Sequence, residues 1–98
     1  MIGGFQWDEG NWPKCSKHGV TRGEIEVLFT DGEPMVRPDP RHSGSEERFF
    51  AVGSTSSGRW LFVVFTLRSV AGTTLIRPLS ARYMHKKEVE HYEQQKGA

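Results

Sequence analysis

Seven basic residues, Arg48, Arg59, Arg68, Arg77, Arg82, Lys86 and Lys87, fall in a stretch that contains no Asp or Glu. Residues 1–47 hold nine carboxylates against five Lys and Arg, so a formal net charge of +1 conceals two halves of opposite sign. Such a split points to a polyanionic partner. Two or three of the arginines are expected to pair with carboxylates of the first half, which leaves the others for a ligand. Arginines held on a rigid sheet can clamp phosphate and stabilise the added negative charge of a phosphoryl transition state without a metal. RNA suits this chemistry because its own 2′-hydroxyl can act as the nucleophile. What is then needed is a group that moves protons near neutral pH, and the chain has four histidines. His85 and His91 fall on a predicted terminal helix. His18 at a helix end and His42 in a loop are the better candidates, although a histidine in either setting is commonly just a cap or a solvated side chain.

Other chemistry finds less support. Asp39, His42, Glu46 and Glu47 are metal-capable types, but their spacing fits no ligand pattern, and the single Cys15 offers neither a zinc framework nor an internal disulfide. No metal and no cofactor are expected. A phosphate-cradling glycine motif and a nucleophile elbow are both missing from the sequence. Of the three tryptophans, Trp60 and Trp7 suit core packing, while Trp12 is the one expected to be exposed and able to stack a base.

Parity along the strands decides which arginines converge. Arg77 shares a face with Leu75 and Leu79, whereas Ser80 and Arg82 share the other. Pro78 cannot donate to a ladder, so it implies either a sheet edge or a bulge. Only a bulge would shift the register by one and bring these side chains together beside the neighbouring strand and Arg68.

The elements that must position them begin with a short strand around Phe5-Gln6-Trp7. A first helix follows, with Asn11 as its N-cap, Pro13 in its first turn and Gly19 at its end. Thr21 and Glu24 form a capping box, with Val20 and Ile25 as the hydrophobic staple, ahead of a helix whose buried face is Ile25, Leu28 and Phe29. Strands are then predicted over 35–37, 49–55, 59–67 and 73–82. The segment 59–67 is apolar on both faces and should lie centrally, covered on both sides. A charged helix over 84–94, with Met84, Val89 and Tyr92 as its thin apolar stripe, completes the chain. The short turns imply hairpins, and the architecture expected is α+β: two helices, an antiparallel sheet of about four strands, and a C-terminal helix. Ninety-eight residues make one domain, 1–98. No apolar run is long enough for a membrane span and no signal peptide is visible, so a cytoplasmic protein is expected.

Taken in order, Phe5-Gln6-Trp7-Asp8, Lys17-His18-Gly19-Val20, Asp39-x-x-His42, Glu46-Glu47-Arg48-Phe49, Gly58-Arg59 and the run from Ile76 through Arg77, Ser80 and Arg82 to Tyr92 resemble the BrnT-type toxin family across nearly the whole chain. The resemblance implies a type II toxin–antitoxin system and a RelE-like ribonuclease fold. It also implies RNA cleavage without a metal, ending in growth arrest, and a small antitoxin, commonly of ribbon-helix-helix type, through which alone operator DNA is bound. The family positions carried over are Lys17, His18, His42, Arg48, Arg77, Ser80 and Arg82. On this reading Arg77 and Arg82 hold the scissile phosphate, Arg48 assists, and His18 or His42 moves protons. Lys17, Arg59, Arg68, Ser80, Lys86 and Lys87 contact the RNA. The alternative is a non-catalytic nucleic-acid-binding or protein-interaction module on the same scaffold, with its charge serving affinity alone.

Overall fold

The computed structural model describes residues 2–41, 44, 46–55 and 57–96. The described residues form β1 (Ile2–Phe5), α1 (Trp12–Cys15) running into a 3-10 turn (Ser16–His18), α2 (Arg22–Thr30), β2 (Met35–Pro38), β3 (Phe49–Ser54), β4 (Trp60–Val70), β5 (Thr73–Tyr83) and α3 (Lys86–Lys96). The strands make one sheet in the order β1-β5-β4-β3-β2. From β2 to β5 it is an antiparallel meander, as the short turns predict. The fifth strand corrects the expectation of a four-stranded antiparallel sheet: β1 lies parallel to β5, with Phe5 opposite Ile76, and makes the sheet mixed. It also lies earlier than the strand predicted at 5–7.

The local signals of the second helix are realised atom by atom. The Thr21 side chain accepts from the Glu24 backbone N–H at 3.1 Å, and Glu24 accepts from the Thr21 N–H at 3.0 Å. Val20 and Ile25 are both buried. Ile25 and Leu28 are fully buried among Leu61, Val63, Phe65, Ala51 and Ala81, and each such side chain removed from water contributes roughly 1.5–3 kcal/mol. The β4–β5 hairpin closes through Ala71 (φ 50) and Gly72 (φ 80), with Val70 opposite Thr73. Two positive φ values match the twist of the flanking strands, and glycine meets that demand at the second position without steric cost.

β4 is the middle strand, as its apolar run predicts, but it is not equally covered on its two sides. Leu61, Val63 and Phe65 are buried beneath α2, whereas Trp60, Phe62 and Val64, pointing the other way, are only half-buried. That second, partly open face carries the polar residues considered next.

Candidate functional site

A bulge decides the geometry. Val64 pairs with Ser80 and Phe65 with Pro78, leaving Leu79 as the extra residue of β5. Below it Arg77 pairs with Thr66; above it Arg82 pairs with Phe62. Thr66, Val64 and Phe62 share one face of β4, so the bulge turns Arg77, Ser80 and Arg82 onto the same, partly open face. Pro78 is therefore a bulge residue inside the sheet, flanked by β4 and the end of β1, and not an edge. Its freed carbonyl accepts from the side chain of fully buried Asn11 at 2.8 Å. Asn11 Nδ2 also donates to the Gln6 carbonyl, and its Oδ1 accepts from the Asp8 N–H. This corrects the expectation that Asn11 caps α1, since its side chain makes no capping bond. It clasps the bulge to the chain leaving β1.

Along the bulge runs a cleft of about 370 Å³ lined by Gly10, Lys14, Arg48, Val64, Leu79 and Ser80. Two cations and a hydroxyl line it, and no carboxylate does among the described residues. On the far side of Ser80 a smaller hollow of about 100 Å³ is lined by His18, Phe62, Ser80, Ala81 and Arg82. The two hollows share Ser80. Lys14 and His18 reach them from α1 and the 3-10 turn, which lie against β5.

Arg77 does not line either hollow. It is 9% exposed, with Nη1 and Nη2 bonded to the two Asp8 oxygens at 2.9 and 3.1 Å and Nη1 also to Gln6 at 3.1 Å. The Arg77 hydrogen bond, helped by the Gly10 N–H, holds the Asp8 carboxyl below its usual range. Gly10 permits this approach: a Cβ there would meet Arg77 Nη2 and Asp8 Oδ1, each at 2.9 Å. Arg82 is presented to the hollow but is not unencumbered. Both of its terminal nitrogens bond Glu88 of α3 at 2.9 Å, and its guanidinium lies 4.8 Å from the centroid of the Phe62 ring. The Arg82 bond, with the His85 backbone N–H, lowers Glu88 to about 2.

The other predicted residues are dispersed. Arg68 is bound by Glu46 at 2.6 Å, so at least two arginines pair with first-half carboxylates, as expected. Arg59 lies over the Tyr83 ring, 3.4 Å from its centroid, and lines a separate groove with Lys86. Lys17 and Lys87 are exposed. His42 lies outside the described residues. Trp12 departs from its expected exposure: it is half-buried, packed edge-on against Trp7 at 5.3 Å with Arg22 4.5 Å over its ring, which leaves Trp12 unsuited to stacking a base. Cys15 is buried, and desolvation pushes its thiol up to about 11, removing it as a nucleophile.

Lys14 was not among the sequence candidates, though its signal was present. It precedes His18 by four residues, the spacing that puts two side chains on one side of a helical segment. Asp8 and Glu88, by contrast, gave no local signal of the arginines they hold.

A family model described as "Ribonuclease toxin, BrnT, of type II toxin-antitoxin system" matches residues 7–88. No curated protein matches the chain.

Proposed function

The chain belongs to the BrnT family of ribonuclease toxins of type II toxin–antitoxin systems, and from that membership we propose that it is a metal-independent endoribonuclease acting at the bulge. The observation that carries this reading is the cleft in which Lys14, Arg48 and Ser80 stand together with no carboxylate among its described lining residues, and His18 and Arg82 across Ser80. Lys14 and Arg48 would hold the scissile phosphate, and the Ser80 hydroxyl would donate to one of its oxygens. His18 would take the proton of the 2′-hydroxyl as that oxygen attacks phosphorus. The new P–O2′ bond and the broken P–O5′ bond give a 2′,3′-cyclic phosphate, and a proton returned from His18 or water leaves the 5′ oxygen as a hydroxyl. Arg82 would add positive charge beside the transition state. Arg77 would act from below, fixing the bulge through Asp8 and Gln6.

A type II toxin has a protein antitoxin. We infer that its acidic segment competes with RNA for this basic face, associating fast through complementary charge, and that operator DNA is bound through the antitoxin, of ribbon-helix-helix type, and not by this chain. Induced expression in bacteria, with RNA integrity followed in extracts and in a purified reaction containing chelator, tests the reading. Wild type is expected to arrest growth and cut RNA, and Arg48→Ala and His18→Ala to lower kcat/KM by roughly 100-fold. RNA bound tightly but left intact would sink the ribonuclease and favour a binding module.

A further inference from the structure

Beside the hollow that holds His18 and Arg82 lies a second cavity that the phosphate chemistry does not use. It has a volume of about 350 Å³, and its walls include Phe50, Phe62 and Tyr92, with Asp39 and Arg41 at its rim. Phe50 and Phe62 are stacked, their rings 5.2 Å apart and 15° from parallel. With the Arg82 guanidinium over Phe62, they form a continuous column across the open face: cation on β5, ring on β4, ring on β3. All three aromatic residues are half-buried, so part of this apolar wall meets solvent. The rim is joined to the phosphate cleft, since the Asp39 N–H donates to the carbonyl of Arg48 at 2.8 Å.

We propose that this cavity is a nucleobase subsite: it takes the unpaired base of a nucleotide flanking the scissile phosphate, stacked against the Phe50–Phe62 pair and covered by Tyr92. The inference rests on the ribonuclease reading and adds its substrate class. A phosphate beside Arg82 places the neighbouring base one ring's breadth from Phe62, and every base offers a π-face to an aromatic wall. A base in a duplex reaches such a cavity only at the cost of its pairing and stacking, so the substrate favoured is single-stranded RNA. The walls are apolar and aromatic and the charges stand at the rim, which gives stacking at the centre and adjustable polar contacts at the base edge.

The test uses a single-stranded oligoribonucleotide that the protein cuts at one mapped bond, and the same strand with an abasic residue placed in turn on each flank of that bond. For wild type, the abasic residue on one flank is expected to lower kcat/KM by about 10-fold or more, in keeping with the contribution of stacking a base on an aromatic side chain. In Phe50→Leu, which keeps an apolar side chain but loses the ring, that penalty should fall below about 3-fold, and duplex RNA should resist wild type. Abasic strands cut like the parent on both flanks overturn the subsite, as does an undiminished penalty in Phe50→Leu. Either result leaves the ribonuclease reading intact, because the parent strand is still cut. A wild type that cuts no RNA overturns both.

Discussion

Arg48, Arg77 and Arg82 carry the same charge in different settings, and the setting assigns them different tasks. Arg77 is buried, with Asp8 and Gln6 occupying its terminal nitrogens; its Nε has no partner among the described residues. An arginine so held is already committed to the protein, and its removal strands Asp8 and the chain that leaves β1. Arg48 stands in the wall of the cleft. Arg77→Ala should therefore lower Tm by about 5 °C or more, whereas Arg48→Ala should lower kcat/KM. Paired thermal melts and cleavage assays decide this; an unchanged Tm in Arg77→Ala would mean that its bonds to Asp8 and Gln6 are dispensable, and an unchanged kcat/KM in Arg48→Ala that Arg48 does not meet the substrate. At this scale the candidate site was partly legible. Ser80, His18, Arg48 and Arg82 were named from residue type and order. Lys14 could have been, from its spacing to His18, but the sequestration of Arg77 could not, because Asp8 lies sixty-nine residues away in the chain.

The bulge is the element on which these residues depend. Without it, alternation would place Arg77 on the face opposite Ser80 and Arg82. Pro78 announced a break in the ladder, but edge and bulge carry the same local signature, and only the pairing of β1 beside β5 separates them. β1 itself was hard to read because Ile2-Gly3-Gly4-Phe5 has two residues of poor strand propensity; it exists through its pairing with β5, a tertiary cause. Capping box and staple, in contrast, are complete within six residues, so α2 was readable from sequence. Asn11 holds the bulge with two donors and one acceptor, all to backbone groups. Asn11→Asp keeps the shape and the acceptor but replaces the donors with charge. Leaving the Gln6 and Pro78 carbonyls without donors at a fully buried position should cost about 3 kcal/mol, seen as a fall in Tm of roughly 12 to 24 °C. The fraction that stays folded should also show a raised KM, since Leu79 and Ser80 of the bulge line the cleft. A variant that melts like wild type would show that the clasp is dispensable.

Across the whole molecule, ion pairs among the described residues hold three of the seven cations of the acid-free stretch. Asp8 and Glu46 from the acidic half neutralise Arg77 and Arg68, and Glu88, one residue beyond the acid-free stretch, neutralises Arg82. The last of these matters most, because it ties α3 to the open face. α3 has a thin apolar stripe, with Val89 and Tyr92 half-buried and most of the remainder exposed, and no helix among the described residues is long and apolar enough to cross a membrane. Its docking thus leans on the Arg82–Glu88 pair, whose two side chains are 38% and 33% exposed. Glu88 is held near 2 in the folded chain, against an ordinary value of 4.5. A depressed carboxyl contributes its stabilisation fully above the ordinary value and loses it as pH falls toward the folded one. Docking of α3 should accordingly persist down to pH 4.5 and fail between there and pH 2, with a loss of helical circular dichroism signal in that window. Glu88→Gln should produce the same release at neutral pH, seen as faster tryptic cutting after Lys86 and Lys87. Because it also frees Arg82, it should tighten RNA binding and steepen the dependence of log Kd on log salt by roughly one unit. Unchanged proteolysis in Glu88→Gln would mean that the apolar stripe alone holds the helix, and an unchanged salt slope would mean that Arg82 never meets the RNA.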